Sequence, residues 1–177
     1  MNQRVREMTE DDAPSIVNYF LKSDRQFLTE MGVDREKLPP AEQWINLILD
    51  NFNRPVPQKE FYYLIWDLDG SPIGHSNINK IIIGKEAYMH LHLWQSGLRY
   101  RGLGTGYVRE SVSIYFEKFN LKTIYSEPYA LNPAPNKVLE NVGFKFVKTY
   151  KTNPGWINFY QPVNRWILTR DIWLKRL

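Results

Sequence analysis

The sequence predicts an α/β (α+β) domain of about seven strands and four helices, and three observations carry that reading. From Phe61 the pattern changes to that of strands, with the β-rich, aromatic run 61–68 first, while the flanking segments repeat apolar residues at helical spacing. Asp69-Gly70-Ser71-Pro72 and Gly84-Lys85 interrupt the strand pattern at hairpin positions, which makes three consecutive antiparallel strands. The stretch Tyr88–Gly106 then runs from strand through a polar loop into Gly102, Gly104 and Gly106, and a helix-forming segment follows at once.

In chain order, Arg4–Met8 alternates weakly and reads as a first strand. Thr9-Glu10-Asp11-Asp12 is an acidic, cap-rich start for a helix carrying Ile16, Val17, Phe20 and Leu21. A polar stretch reaches Pro39-Pro40, which opens a second helix with Trp44, Ile45, Leu47, Ile48, Leu49 and Phe52 on a broad apolar face; Pro55 and Pro57 end it. Strands follow over 61–68, 73–83 and 86–94. After the glycines, Tyr107, Val108, Val112, Tyr115, Phe116 and Phe119 mark a helix, and Lys122–Glu127 a short strand ended by Pro128. Asn132 before Pro133 starts another helix, with Val138, Leu139 and Val142 as its buried stripe and Gly143 as its stop. Strands at Phe144–Tyr150 and Arg165–Trp173 flank a turn-rich excursion at 151–161. No internal repeat or low-complexity tract appears, so residues 1–177 read as one domain.

Composition narrows the chemistry. The 177 residues are 43% hydrophobic and 24% charged, ordinary for a globular chain. No apolar run approaches the ~20 residues of a membrane span, and the N-terminus lacks a signal-type apolar core, so a cytoplasmic protein is expected. The absence of cysteine excludes disulfides, thiolate catalysis and thiolate metal sites, and three histidines, at 75, 90 and 92, leave little for a metal cage. Residues 1–88 hold 10 Lys/Arg against 14 Asp/Glu (−4), whereas 89–177 hold 13 against 5 (+8). A basic half containing a phosphate-type loop points to an anionic ligand there, with an uneven scatter of solubility charges as the plain alternative. The basic residues stand singly rather than in clusters, which argues against nucleic acid.

The glycines do not form the dinucleotide fingerprint G-x-G-x-x-G, and the Gly-Lys-Ser/Thr ending of an ATP-binding loop is missing. Arg99, Gly102 and Gly104 give R-x-x-G-x-G instead. With these residues, and with the Asn132-started helix that ends in Gly143-Phe144, the chain resembles the GCN5-related N-acetyltransferases, the GNAT family, over nearly its whole length. The resemblance extends to the branches acting on aminoglycosides, ribosomal proteins and siderophore-type lysines. It implies the GNAT fold: a mixed, mostly antiparallel sheet whose central parallel strands splay apart to form a coenzyme A cleft. It also implies acetyl-CoA as cosubstrate, with no metal. On this likeness the pyrophosphate would meet Arg99, Tyr100, Arg101, Gly102, Leu103, Gly104, Thr105 and Gly106, where bare helix-start amides offer donors. Pantetheine would pair with the exposed backbone of His92, Leu93 and Trp94, and Asn132 and Asn136 would face the cofactor from the other wall.

Acetyl transfer to an amine needs a neutral nucleophile, a stabilised oxyanion and a proton for the departing thiolate. Glu127, at the end of a strand and five residues before Asn132, is the first candidate base, at a spacing where relatives carry a carboxylate. A surface glutamate paired with a lysine is the plain alternative. His92 is the second candidate, ten residues before Gly102, with His90 two residues earlier on the same face; which of the two meets the cleft stays open. His75 reads as structural. The acid departs from the family pattern, because its usual tyrosine and serine positions hold Leu139 and Pro135; Tyr129 or water remains. Trp44, Trp66 and Trp94 read as core, whereas Trp156, in a Pro-Gly turn, reads as a substrate contact.

The sequence thus predicts an acetyl-CoA-dependent N-acetyltransferase acting by direct attack of a primary amine. The acidic N-terminal half leans toward a cationic small molecule as acceptor. A protein N-terminal or ribosomal-protein acetyltransferase and a non-catalytic acyl-CoA-binding module are the alternatives. Acetyl-CoA and an amine are the expected partners, a membrane and nucleic acid are not, and a homodimer stays open.

Overall fold

A computed structural model describes residues 2–98 and 102–176. One sheet organises them, in the order β1-β2-β3-β4-β5-β7-β6. Its strands are β1 (Gln3–Glu7), β2 (Phe61–Leu68), β3 (Ser71–Ile82), β4 (Glu86–Leu93), β5 (Thr123–Ser126), β6 (Lys145–Thr152) and β7 (Gln161–Thr169). Every pairing is antiparallel except β4–β5. The helices are α1 (Ala13–Leu21), α2 (Arg25–Glu30), α3 (Ala41–Phe52), α4 (Leu103–Lys118), α5 (Pro133–Val142) and α6 (Arg170–Leu174). The mixed seven-stranded sheet and the four longer helices are those expected. Among the described residues no helix is long and apolar enough to cross a membrane.

Each sheet face carries its own core. On one, α1 and α3 bury Ile16, Val17, Phe20, Trp44 and Ile48 against Ile65 of β2. On the other, α4 and α5 pack Tyr107, Val108, Val112, Tyr115, Phe116, Leu139 and Val142 onto Leu64, Trp66, Ile78, Met89, Ile124 and Leu168. The division follows from strand alternation, since successive residues of β2 and β4 serve opposite faces.

Two local expectations are corrected. The polar stretch before Pro39 contains α2, because Asp24 accepts a hydrogen bond from Phe27 N at 2.8 Å and caps a turn that buries Leu28. The last strand occupies Gln161–Thr169 rather than Arg165–Trp173. Its neighbours supply no partner further on, since β5 begins opposite Thr169 and β6 begins opposite Ile167. Thr169 then caps α6 through Ile172 N, and Trp173 turns into the core.

Candidate active site

The parallel pair β4–β5 is short. It holds Glu86↔Thr123, Ala87↔Ile124 and Tyr88↔Tyr125, after which the strands separate while β4 continues to Leu93. Ser126 Oγ still donates to Met89 O at 2.8 Å at the root of the opening. Beyond it, residues 127–130 turn along β7, where Asn164 N donates to Pro128 O and Ala130 N to Pro162 O. The main-chain direction along β4 follows from two bonds: Trp94 N donates to Ile73 O on the β3 side, whereas Met89 O faces β5. Backbone groups alternate in an antiparallel ladder, so the main chains of His92 and Trp94 face β3, and those of Leu91 and Leu93 lie on the splayed edge. Of the three residues expected to pair with pantetheine, His92 and Trp94 thus turn their main chains toward β3 rather than toward the opening.

Gly102 starts α4 with φ +76°, a left-handed conformation that glycine adopts without strain, and it offers no side-chain cap. The amides of Leu103, Gly104 and Thr105 belong to the first turn, whose N–H groups find no acceptor within the helix, and lie at its positive end. The two remaining glycines have packing duties. A Cβ on Gly104 would stand 3.3 Å from Val138 Cγ2, so this residue lets α4 approach α5; a Cβ on Gly106 would meet the Gln3 side chain of β1 at 2.9 Å. Arg99, Tyr100 and Arg101, also expected at the cofactor, lie outside the described residues. Gly104→Val should accordingly lower stability by about 1–3 kcal/mol through overpacking. A fall in the urea midpoint, partly restored by adding Val138→Ala, would report this; an unchanged midpoint would refute it.

Glu127 follows β5, and its side chain is only 6% exposed. Its Oε1 accepts from Tyr150 Oη and lies 3.7 Å from Arg165 Nη1; among the described residues nothing bonds Oε2, and that atom is not fully buried. Arg165 in turn donates to Tyr88 Oη at 2.8 Å and lies 4.5 Å from the centre of the Tyr125 ring, while Tyr88 and Tyr125 stack at 5.2 Å. The Tyr150 hydroxyl is pushed up to about 12, first by burial and then by its bond to Glu127, so it keeps its proton at neutral pH. Glu127 is thus held by β6 and β7 rather than paired with a surface lysine.

The histidines lie on the same sheet face. Tyr88 and Tyr125 are paired, so the next residues outward on that face are His90 on β4 and Glu127 after β5. His90 Nε2 lies 3.3 Å from Asn79 Oδ1. His92 sits one step farther out, packed between the rings of Phe20 (5.1 Å), Tyr19 (5.5 Å) and His75 (4.8 Å). Burial, then the neighbouring His90, pushes His92 down to about 3; burial, then Lys80, pushes His90 down to about 4. His75 is also held well below its usual range by burial, and its Nδ1 accepts from Trp94 Nε1 at 2.8 Å. All three are neutral at pH 7.

Asn136 is a bracket. Its Nδ2 donates to Tyr129 O and Asn132 O, and its Oδ1 accepts from Asn164 and Trp166, which uses both donors and both lone pairs. Its amide therefore has no donor or lone pair left to offer the cofactor it was expected to face. Asn132 sits at the N-cap of α5 with no capping bond from its side chain. Leu139 is fully buried. Trp44 and Trp66 are core residues and Trp94 is tied to His75, whereas Trp156 is 56% exposed and meets Trp44 edge-on at 5.4 Å.

The 151–161 segment crosses from the β6–β7 side to the α2–α3 side as a strap. Gly32 O accepts from Asn158 Nδ2 at 2.8 Å and from Gln161 Nε2 at 2.7 Å. Asp34 N donates to Ile157 O, and Lys37 Nζ to Asn158 O. Tyr88, Tyr125, Tyr150 and Arg165 escaped the sequence reading, because no local motif links positions brought together by strand order. A tyrosine ending the strand that precedes the 151–161 excursion was the one available hint.

A sequence profile described as "Acetyltransferase (GNAT) domain" matches residues 3–145. A search of curated protein sequences gave no significant match. Among solved structures, the chain is similar to aminoglycoside acetyltransferase AAC(6')-Ib in complex with coenzyme A, with 20% identity, TM-score 0.77 and 98% of each chain covered. It is also similar to RimL, the ribosomal L7/L12 alpha-N-protein acetyltransferase, with 16% identity, TM-score 0.78, and 97% of this chain and 96% of that one covered. A third is spermidine N-acetyltransferase from Vibrio cholerae in complex with CoA and spermine, with 16% identity, TM-score 0.79, and 97% and 98% covered. At these identities the likeness is one of fold.

Proposed function

Because the chain belongs to the GNAT acetyltransferase family, we propose that it transfers the acetyl group of acetyl-CoA directly to a primary amine of a small cationic molecule. The donor side of the cleft fits this cosubstrate. First-turn amides at Leu103, Gly104 and Thr105 suit a pyrophosphate, and the splayed edge at Leu91 suits a pantetheine amide. In the reaction the amine lone pair forms the C–N bond and the C–S bond breaks. The amine proton passes to Glu127 Oε2, and the thiolate takes its proton from a donor other than Leu139 or Pro135, which have none.

The strap carries the choice of acceptor. Bonded to Gly32, Asp34 and Lys37, it bridges the two walls on the acceptor side. Such a closure suits a short, slender amine better than an extended peptide attached to a folded protein. The preference for positive charge rests on Glu127 and on the exposed ring of Trp156, not on a negative wall. Of the N-terminal acidic residues, Asp12 and Asp67 pair with Arg6, Asp24 and Asp34 cap helices, and Glu36 pairs with Arg25. The spermine and kanamycin complexes of the structural neighbours are compatible with such an acceptor.

Thiol release from acetyl-CoA, measured with a polyamine, an amino sugar and a ten-residue peptide with a free N-terminus, tests the proposal. Turnover of the polyamine or amino sugar is expected. Turnover of the peptide alone would overturn the acceptor class, and release with none would favour a non-catalytic acyl-CoA-binding module.

A further inference from the structure

We infer that Tyr150 and Arg165 are positioning residues that act through Glu127, holding its Oε1 so that Oε2 faces the acceptor amine. The inference rests on the reading of Glu127 as the base and adds how that base is aimed. A glutamate side chain has three rotatable bonds, and here two partners on different strands engage one oxygen and leave the other. Arg165 is itself fixed: Tyr88 Oη accepts its Nη2 at 2.8 Å, and Tyr125 lies beneath the guanidinium. Tyr88 and Tyr125 are the last paired residues before the strands part, so the chain of contacts is anchored at the root of the cleft.

The groups facing this carboxylate come from four elements. They are Tyr88 and His90 on β4, Tyr125 on β5, Arg165 on β7, and Tyr150 on β6 with Lys148 4.7 Å from the centre of the Tyr150 ring. Among the described residues only Tyr150 and Arg165 reach Oε1. With a fixed base, the free oxygen meets the amine without searching rotamers, and misplacement of a reacting group costs on the order of 10–100-fold in rate.

The test is a double-mutant cycle of Tyr150→Phe and Glu127→Gln, read as kcat and KM for acetyl-CoA with the best amine of the panel. Tyr150→Phe alone should lower kcat on the order of tenfold or more, with KM for acetyl-CoA within about twofold. In the Glu127→Gln background it should lower kcat no further. Arg165→Lys should retain more kcat than Arg165→Met, which also serves should Tyr150→Phe not fold. Equal losses in both backgrounds, or unchanged kcat in Tyr150→Phe with Glu127→Gln inactive, would overturn the positioning role alone. Full turnover by Glu127→Gln would overturn the base reading and this inference together.

Discussion

Glu127→Gln should lower kcat by about 10²–10³-fold and leave KM for acetyl-CoA nearly unchanged. The substitution is isosteric, and the amide oxygen can still accept from Tyr150 Oη, so the side chain keeps its place and loses its basicity. The substitution leaves β4 and the start of α4, where acetyl-CoA is proposed to bind, untouched. His92→Gln provides the contrast. A histidine pushed down to about 3 binds a proton too weakly to serve as a base near neutrality, so this variant should keep kcat within about threefold. Steady-state kinetics over pH 6–9 decides between them. A large loss in His92→Gln with little in Glu127→Gln would exchange the two roles.

Acidification from pH 7 to pH 5 should destabilise the protein by a few kcal/mol, on the order of 1–2 for each of His75, His90 and His92. The sign follows from the directions of the shifts. All three sit below the ordinary histidine value in the folded chain, with His90 at about 4 and His92 at about 3. Between the unfolded value near 6.5 and these folded values, the unfolded chain binds more protons, so stability is full above that window and falls as pH drops through it. The geometry supplies the cause for His75, because its Nδ1 accepts from Trp94 and a second proton there would face a donor. Asp12 and Glu7, whose carboxyls are held low, add losses of the same sign only at lower pH. Urea midpoints at the two pH values measure the effect, and His92→Gln should flatten the slope. Equal midpoints would show that the histidines protonate freely in the fold.

Much of this architecture was legible without coordinates. The hairpin turns at 69–72 and 84–85, the proline stops, the glycine-started α4 and the Asn132 helix are local signals, and local chemistry produced them as read. The R-x-x-G-x-G pattern likewise marked where α4 would begin. The errors arose where a neighbour decides. The final strand ended at Thr169 because its partners began there, and α2 formed because Asp24 capped a turn that buries Leu28. Nothing local in the sequence showed that Gly104 also lets α4 approach Val138, or that the Asn136 side chain is taken up by Asn164 and Trp166.

By itself, then, the sequence determined the periods, caps and turns, the helix-start amides at Gly102–Thr105, and a carboxylate at the end of β5. Those features depend on residues within a few positions of one another. Only the tertiary structure decided what surrounds that carboxylate, because the order β4-β5-β7-β6 gathers Tyr88, Glu127, Tyr150 and Arg165 from across 77 positions of chain. It also decided that the 151–161 segment reaches Gly32. Such pairings are set by strand order and by which faces must be buried, and no window along the chain contains that information.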